Sequence, residues 1–338
     1  MRYRIHTWHS ATVRAHRDIT PTVREFELLA DRGVMPWSVG AHINVAVCID
    51  GKDETRSYSL VGLPQRSQAD GVYRIAVKRA QPGQGGSRFM WNLAVADTLN
   101  ISQPGNHFEL TGNAPPRLQH HLLIAGGIGI TPLLGMAQSL ATRGCQVQMR
   151  YAARSTAELA YVDELRSALG GNLQVFCDDA GEQIDLDFEI AALPARGQLW
   201  MCGPLPLLDA ARAAWARAGR AAADLRFETF GNSGQFEAQA FWVEIPRHQL
   251  RLEVPAHRSL LSVLEQAGVQ TLYECERGEC GLCAMQVVSV NGTLDHRDVF
   301  FSAHEKLSNE RLCACVSRVH RASGGAVVVL DSAYRSDG

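Results

Sequence analysis

The chain has 338 residues, of which 46% are hydrophobic and 20% are charged, and its formal net charge is −2. This length is more than one hydrophobic core usually supports, so it predicts two or three globular domains. A near-neutral charge without a polybasic run argues against nucleic acid or an anionic membrane surface as a partner.

The N-terminal segment is basic but lacks the apolar stretch of a signal peptide, and no apolar run reaches the roughly 18–20 residues that span a bilayer. We therefore expect a cytoplasmic protein. In a reducing compartment, the nine cysteines favour metal binding or redox chemistry over disulfides.

Residues 1–113 are predicted to form an antiparallel sheet that closes into a small barrel. Short segments with apolar residues at every second position, or in a short run, alternate with turn residues. These segments are TVREFELLA, HINVAVCI, TRSYSLV, GVYRIAVKRA, DTLNISQP and HFELTG.

From His120 onwards, apolar strands alternate with helical patterns, which predicts a parallel, doubly wound α/β domain over residues 114–230. The first helix has Pro132 near its start, where a missing N–H costs nothing. The second helix is predicted around AELAYVDELRSALG. The Gly/Ser/Gln-rich residues 231–240 are predicted to be a linker. Residues 241–338 then give a β-hairpin, a short helix, a cysteine-rich loop and three further strands.

Three cysteines in the stretch YECERGECGLC have the spacing C-x4-C-x2-C: Cys275, Cys280 and Cys283. Structural zinc sites usually need two C-x2-C pairs, and only one is present. The four-residue gap is instead the plant-type [2Fe–2S] spacing, which requires a distant fourth cysteine. Cys313 and Cys315 are both candidates.

The remaining cysteines lie in or beside apolar strands, and we expect Cys48, Cys145 and Cys177 to be core thiols because buried cysteine packs as a small hydrophobe.

Three segments with glycine or hydroxyl side chains are candidates for binding a flavin or a pyridine nucleotide. GGIGITP (126–132) joins a strand to a helix, although Pro132 replaces the third glycine of the dinucleotide fingerprint. The next strand ends in Arg154 and Ser155 rather than in an acid. GQGGSR (83–88) offers a glycine loop with a hydroxyl group, and RSYSL (56–60) alone is weak.

The chain contains the segments RSYSL, VKR, GGSR, AGGIGITP, YAARS, CGP, FETF, ECERGECGLC, DHRD and CVSR. Together, these segments resemble the phthalate dioxygenase reductase family. The resemblance spans nearly the whole chain. It implies an antiparallel flavin-binding β-barrel, an α/β nucleotide domain of the ferredoxin–NADP reductase type, and a C-terminal β-grasp ferredoxin domain.

The family's binding residues map onto this sequence. The resemblance implies FMN contacts from Arg56, Ser57, Tyr58, Ser59, Ala76, Val77, Lys78, Gly85, Gly86, Ser87, Thr131 and Phe230. It implies NAD contacts from Gly126, Gly127, Gly129, Arg154, Ser155, Cys202, Gly203 and Pro204. Ser59, Thr131 and Cys202 are the candidate catalytic residues. The cysteine before V-S-R is the family's fourth cluster ligand, which selects Cys315, whereas the gap to Cys313 is the commoner plant-type length.

The resemblance implies a hydride transfer from NADH to the flavin and single-electron transfer through the cluster to a Rieske oxygenase component. The same chain could serve a cytochrome P450. A different class, a non-catalytic metal-binding redox sensor with zinc in the cysteine loop, is the remaining alternative. NADPH is also open as the coenzyme, because Arg154 and Ser155 could accept a 2′-phosphate.

Overall fold

A computed structural model describes residues 8–49, 51–79, 85–110, 115, 118–230, 236, 238–321, 323 and 325–331. The chain divides into two compact units, whose described residues lie within 8–228 and 229–331. Among the described residues, the first unit contains a six-stranded and a five-stranded sheet, and the second contains a five-stranded mixed sheet and a two-stranded sheet.

The first sheet is antiparallel and closes into a barrel. Its strands are β1 (Trp8–Thr20), β2 (Val23–Ala30), β3 (His42–Ile49), β4 (Lys52–Ser59), β5 (Tyr73–Lys78) and β6 (Thr98–Ser102). The order is β4-β3-β6-β1-β2-β5, and an antiparallel bridge between Leu60 and Ile75 joins the two edges. Inward side chains such as Phe26, Ile43 and Ile101 are fully buried, as alternation along a strand requires.

Several details of the barrel differ from the sequence-based prediction. Strand β1 was missed because its sequence is largely polar, although Ala11 and Val13 alternate into the core. HFELTG was predicted to be a strand, but its described residues 107–110 are not. Two short helices were also missed, α1 (Pro64–Asp70) and α2 (Gly86–Trp91). Cys48 is exposed rather than in the core, whereas Cys145 and Cys177 are buried as predicted.

The second sheet is parallel. Its strands are β7 (His120–Gly126), β8 (Gln146–Ala153), β9 (Leu173–Cys177), β10 (Gln198–Cys202) and β11 (Leu225–Glu228), in the order β11-β10-β7-β8-β9. The helices are α3 (Ile130–Thr142), α4 (Val162–Leu169), α5 (Leu186–Ala192) and α6 (Leu205–Arg217). The chain order reverses between β7 and β10, and ligands of open α/β sheets bind at such a switch point.

Helix α3 packs against the barrel, which explains why both sheets belong to one unit. A Cβ atom on Gly135 would lie 2.1 Å from the Gly62 carbonyl oxygen, and one on Gly40 would lie 2.7 Å from Met136 Cε. Only glycine allows this approach of helix and loop. The predicted boundary at residues 113–114 lies outside the described residues.

Helix α4 begins later than the prediction. A short 3-10 turn covers Thr156–Glu158, and α4 begins only at Val162. Tyr161 adopts a left-handed conformation with φ 60°, which interrupts the helix. Its hydroxyl group donates to Glu25 Oε2 at 2.8 Å, and this bond to the barrel stabilises the unusual backbone.

The second unit is a mixed sheet with helix α7 (Leu260–Gln266) packed on it. Its strands are β12 (Phe241–Ile245), β13 (Leu250–Val254), β14 (Ala284–Asn291), β15 (Thr293–Asp295), β16 (Arg311–Cys313), β17 (Arg318–His320) and β18 (Val327–Asp331), with helix α8 (Ala303–Ser308). The order is β13-β12-β18-β14-β16, and β15 pairs with β17. Most of the predicted linker, residues 231–235 and 237, lies outside the described residues.

None of the helices in the described ranges is both long enough and apolar enough to cross a membrane.

Candidate functional site

The cysteine loop lies between α7 and β14, and Cys315 lies two residues after the end of β16. Cys283 Sγ lies 3.2 Å from Cys315 Sγ, and the Cys275 side chain forms hydrogen bonds with Cys280 and Cys315. Four thiols therefore converge from two chain segments. Thiolate sulfur is the ligand that iron–sulfur clusters require, so these residues fit a [2Fe–2S] cluster.

Backbone amides of the loop point at the first cysteine. The amide nitrogens of Arg277, Glu279 and Cys280 donate to Cys275 Sγ at 3.4, 3.3 and 3.4 Å. Hydrogen bonds from the Cys280 and Cys315 thiols, with backbone donors adding to them, hold the pKa of Cys275 well below its usual value. Donors of this kind stabilise a thiolate and orient a ligand.

Two glycines make this loop possible. Gly281 has φ 72°, and a Cβ atom there would lie 2.3 Å from the Phe300 ring. Gly278 has φ 75°, and its Cβ atom would lie 2.7 Å from Val316 Cγ2. Positive φ and tight contact together require glycine.

Both candidates for the fourth ligand lie near Cys283. The Cys313 and Cys315 thiols hydrogen-bond to Cys283 and lower its pKa to about 4. Only Cys315 of these two also forms a hydrogen bond with Cys275 in the described structure. This arrangement favours Cys315. Among the described residues, no group of three or more His, Cys, Asp or Glu side chains is arranged for a single metal ion.

The predicted flavin residues lie on β4, β5 and the start of α2. Arg56 packs across Gly86, because a Cβ atom on that glycine would lie 2.8 Å from Arg56 Nε. Ser57 Oγ donates to Asn44 Oδ1 at 2.5 Å. Tyr58 is half-buried, and burial raises its pKa. Arg56 and Gly86 thus lie together.

The other predicted flavin residues vary in exposure. Ala76 and Val77 are buried on β5, and Gly85 has φ 84° just before α2. Ser87 is half-buried, as is Phe230, which follows β11 in the second unit. Residues 83–84, the start of the predicted GQGGSR loop, lie outside the described residues.

Six of the eight predicted nucleotide residues lie at the switch point between β7 and β10, and the other two follow β8. A Cβ atom on Gly129 would lie 2.1 Å from the Cys202 carbonyl oxygen, and one on Gly126 would lie 2.6 Å from Pro204 Cδ. The glycine turn therefore packs directly on the Cys202–Pro204 segment. This close contact explains Gly126 and Gly129, whereas Gly127 has φ 54°.

Polar residues around this turn are held differently. Thr131 is buried, and its hydroxyl group donates to the Ile128 carbonyl oxygen at 3.0 Å. Cys202 is fully buried. Arg154 is exposed and Ser155 is half-buried just after β8.

The structure adds residues that sequence reasoning missed. Glu228 is 1% exposed, and Ser59 Oγ donates to its Oε2 at 3.3 Å. Lys78, predicted at the flavin, forms an ion pair of 2.7 Å with Glu158. Glu228 lies in the quoted FETF segment, but nothing in its spacing indicated a partner 169 residues away.

In the second unit, Thr229 is tied to the cysteine loop. Its amide nitrogen donates to Glu279 Oε1 at 2.6 Å, and its hydroxyl group donates to the Arg277 carbonyl oxygen at 3.2 Å. Since the Arg277 and Glu279 amides also contact Cys275, Thr229 helps to fix the loop.

Three family models match successive parts of the chain. They are described as an oxidoreductase FAD-binding domain (residues 10–110), an oxidoreductase NAD-binding domain (123–213) and a 2Fe-2S iron-sulfur cluster binding domain (243–320). Their order is the predicted order of the three domains.

Full-length relatives decide the family. The chain is 33% identical over 331 residues to the phthalate 4,5-dioxygenase oxygenase reductase subunit of Pseudomonas putida, covering 94% of this chain and 95% of the relative. A solved structure of phthalate dioxygenase reductase matches with a TM-score of 0.77 and 31% identity, covering 96% and 98%. The chain belongs to the phthalate dioxygenase reductase family.

Another member of similar length is the heme-dependent oxidative N-demethylase beta subunit of Ectopseudomonas mendocina (strain ymp). It is 36% identical over 321 residues, covering 94% of this chain and 97% of the relative. The predicted fold class is confirmed: the chain is an oxidoreductase with an antiparallel flavin-binding barrel, a parallel α/β NAD domain and a [2Fe–2S] domain.

Proposed function

We propose that the chain is the NADH-dependent reductase component of an oxygenase system, with FMN as its flavin. The observation that carries this proposal is the convergence of Cys275, Cys280, Cys283 and Cys315 in a chain that also contains flavin and NAD domains. When bound, the flavin supplies the exchange between two-electron and one-electron chemistry, and the protein supplies binding and orientation.

Arg56 and the start of α2 would hold the FMN phosphate. The Arg56 side chain lies against Gly86, and Ser87 follows with its hydroxyl group. A guanidinium and backbone N–H groups are suitable donors for a phosphate monoester. FMN is the flavin that the resemblance to this family implies, whereas the matching family model is described as FAD-binding.

Ser59 would lie at the reactive edge of the flavin. Its hydroxyl group is oriented by Glu228, which is buried on β11. A buried carboxylate that accepts this bond fixes the rotamer of Ser59. The serine can then act as a placed hydrogen-bonding group instead of rotating freely.

The turn from Gly126 to Thr131 would hold the coenzyme phosphates, with Cys202, Gly203 and Pro204 near the nicotinamide. The turn precedes helix α3, whose N-terminus favours anions. Its contact with Cys202 at the switch point supports one shared ligand site for both segments. Arg154 and Ser155 follow β8 and would lie towards the adenosine.

The domain limits in this proposal are residues 1–113 for the barrel, 114–230 for the α/β domain, 231–240 for the linker and 241–338 for the cluster domain. Cytoplasmic location and a transient electron-transfer complex also belong to the proposal. A redox partner must dock and leave, so its interface would be at the small end of the usual range.

The proposed electron acceptor is a Rieske-type aromatic-ring oxygenase or O-demethylase. The Pseudomonas putida relative, named as a phthalate 4,5-dioxygenase subunit, supports this choice. A heme protein such as a cytochrome P450 is the second candidate, because the Ectopseudomonas mendocina relative is named as a subunit of a heme-dependent demethylase.

Cofactor analysis and acceptor assays test the proposal. We expect about two irons and one FMN per chain, together with NADH-dependent reduction of cytochrome c. Reoxidation of the reduced protein by purified Rieske oxygenases or P450s then compares the acceptors. Zinc without flavin, or failure to reduce cytochrome c, would contradict the reductase assignment.

A further inference from the structure

An acidic side chain lies beside the glycine turn at which the coenzyme phosphates are expected. Glu158 Oε2 lies 2.7 Å from Lys78 Nζ. The same Nζ atom lies 3.8 Å from the position that a Cβ atom on Gly127 would occupy. A carboxylate, an ammonium group and the glycine turn are therefore neighbours, and both charged side chains are mostly buried, at 21% and 28% exposure.

The segment that carries Glu158 is held at several points. The Glu158 amide nitrogen donates to the Ser155 carbonyl oxygen at 3.1 Å. The Ala160 amide nitrogen donates to the Tyr151 hydroxyl group at 3.1 Å, and the Tyr161 hydroxyl group donates to Glu25 at 2.8 Å. Because these bonds hold the backbone, the Glu158 carboxylate can move only by rotation of its side chain and stays near the glycine turn.

The position of this segment in the sheet connects it to the adenosine half of a dinucleotide. Strand β8 lies next to β7, with Gly126 opposite Ala152, and residues 154–158 follow its carboxyl end. In open α/β sheets the residues after this second strand contact the adenosine ribose. The segment carries two opposing charges there, an exposed Arg154 and the held carboxylate of Glu158.

We propose that Glu158 selects NADH over NADPH, an inference that rests on the proposed reductase function. Before the coenzyme binds, Lys78 neutralises the carboxylate. A pyrophosphate at the glycine turn would compete for Lys78, which leaves Glu158 to accept hydrogen bonds from the ribose hydroxyl groups. A 2′-phosphate adds roughly 1.5 to 2 negative charges, and a fixed carboxylate repels it.

The test compares Glu158→Gln with Arg154→Ala in the flavin-loaded protein. One readout is kcat/KM for flavin reduction by NADH and by NADPH. The second is binding of 5′-ADP and 2′,5′-ADP, measured by calorimetry without turnover. In E158Q we expect the NADH/NADPH ratio to fall by about tenfold or more, which corresponds to about 1.4 kcal/mol, and 2′,5′-ADP to bind more tightly. R154A removes the positive charge that could attract a 2′-phosphate, so its NADH/NADPH ratio of kcat/KM should stay unchanged or rise.

Lys78→Gln separates the carboxylate from its ion pair. This variant should weaken both coenzymes by similar factors, since the pyrophosphate is common to both. The proposal is overturned if E158Q changes both coenzymes equally, if K78Q lowers the ratio as much as E158Q, or if the unaltered protein prefers NADPH. Failure of the proposed function is distinguishable, because neither coenzyme would then reduce the flavin. If E158Q does not retain flavin, Glu158→Ala is used with the same criteria.

Discussion

The cysteine loop and the nucleotide end of the α/β sheet are built in different ways. Nine consecutive residues, 275–283, supply three of the four proposed cluster ligands and the amides that contact Cys275. The nucleotide end instead combines Lys78, the turn at 126–131, the segment after β8 and Cys202–Pro204. A site built from neighbouring residues can therefore be recognised from residue spacing in the sequence. A site built from distant segments depends on the order of the strands and on glycine contacts between the segments.

We expect the largest effect from replacing Cys315, the one proposed cluster ligand that lies outside the cysteine loop. Cys315→Ser should abolish the iron–sulfur absorption and the EPR signal, because its thiol alone of the two candidates contacts both Cys275 and Cys283. Cys313→Ser is the matched control and should retain the cluster. The reverse pattern would assign the fourth ligand to Cys313 and contradict the geometry described here.

The next effect tests the packing that assembles the dispersed site. Gly129→Ala puts a methyl group 2.1 Å from the Cys202 carbonyl oxygen, and backbone must move to accommodate it. We expect a loss of stability of roughly 1–3 kcal/mol, as for other overpacked sites, and a raised KM for NADH with an unchanged cluster spectrum. Gly171→Ala, whose Cβ atom would meet nothing within 4 Å, should leave the urea midpoint and KM unchanged. Equal effects of the two variants would rule out this explanation.

A smaller effect concerns the flavin edge. Ser59→Ala removes the hydroxyl group that Glu228 orients, and one hydrogen bond to a charged group is worth roughly 1.5–3 kcal/mol. Stopped-flow measurements should show flavin reduction by NADH slowed roughly ten- to hundredfold. Cluster content and the binding of 5′-ADP should not change. Loss of ADP binding would instead assign Ser59 to the nucleotide site.

The smallest effect is a pH dependence of stability in the α/β sheet. Burial lowers the pKa of His121 to about 4 from 6.5, so the unfolded chain binds the proton more readily than the folded one. The contribution of His121 to the free energy of unfolding is fully present above pH 6.5. It falls as the pH drops towards 4, with about 2 kcal/mol lost between pH 7.5 and 5. In the His121→Asn variant, the urea midpoint of unfolding should depend less on pH across this range. An identical slope in the variant would assign the effect to other groups.

The sequence predicted most of the architecture because its patterns are local. Period-two alternation located five barrel strands, and the C-x4-C-x2-C spacing indicated the cluster loop. Strand β1 was missed since its apolar core residues are small and few in a largely polar sequence. Helix α4 was predicted too long because the left-handed Tyr161 depends on Glu25 in the barrel.

The side chains that no pattern indicated are those with distant partners. Glu228 ends an ordinary strand, β11, and its bond to Ser59 appears only when the two sheets pack together. Glu158 has the sequence context of a solvated helix start, yet it pairs with Lys78 from the barrel. Such contacts depend on tertiary packing, in contrast to the glycine and cysteine spacings of the loop.

Anaerobic titration of the flavin- and iron-loaded protein with NADH is the most direct test of electron transfer from NADH through the flavin to the cluster. Visible absorption follows the flavin, and EPR follows the cluster in the same samples. We expect NADH to bleach the flavin and to produce the EPR signal of a reduced [2Fe–2S] cluster, and Cys315→Ser to lose only the EPR signal. A cluster that stays oxidised while the flavin is fully reduced would contradict it.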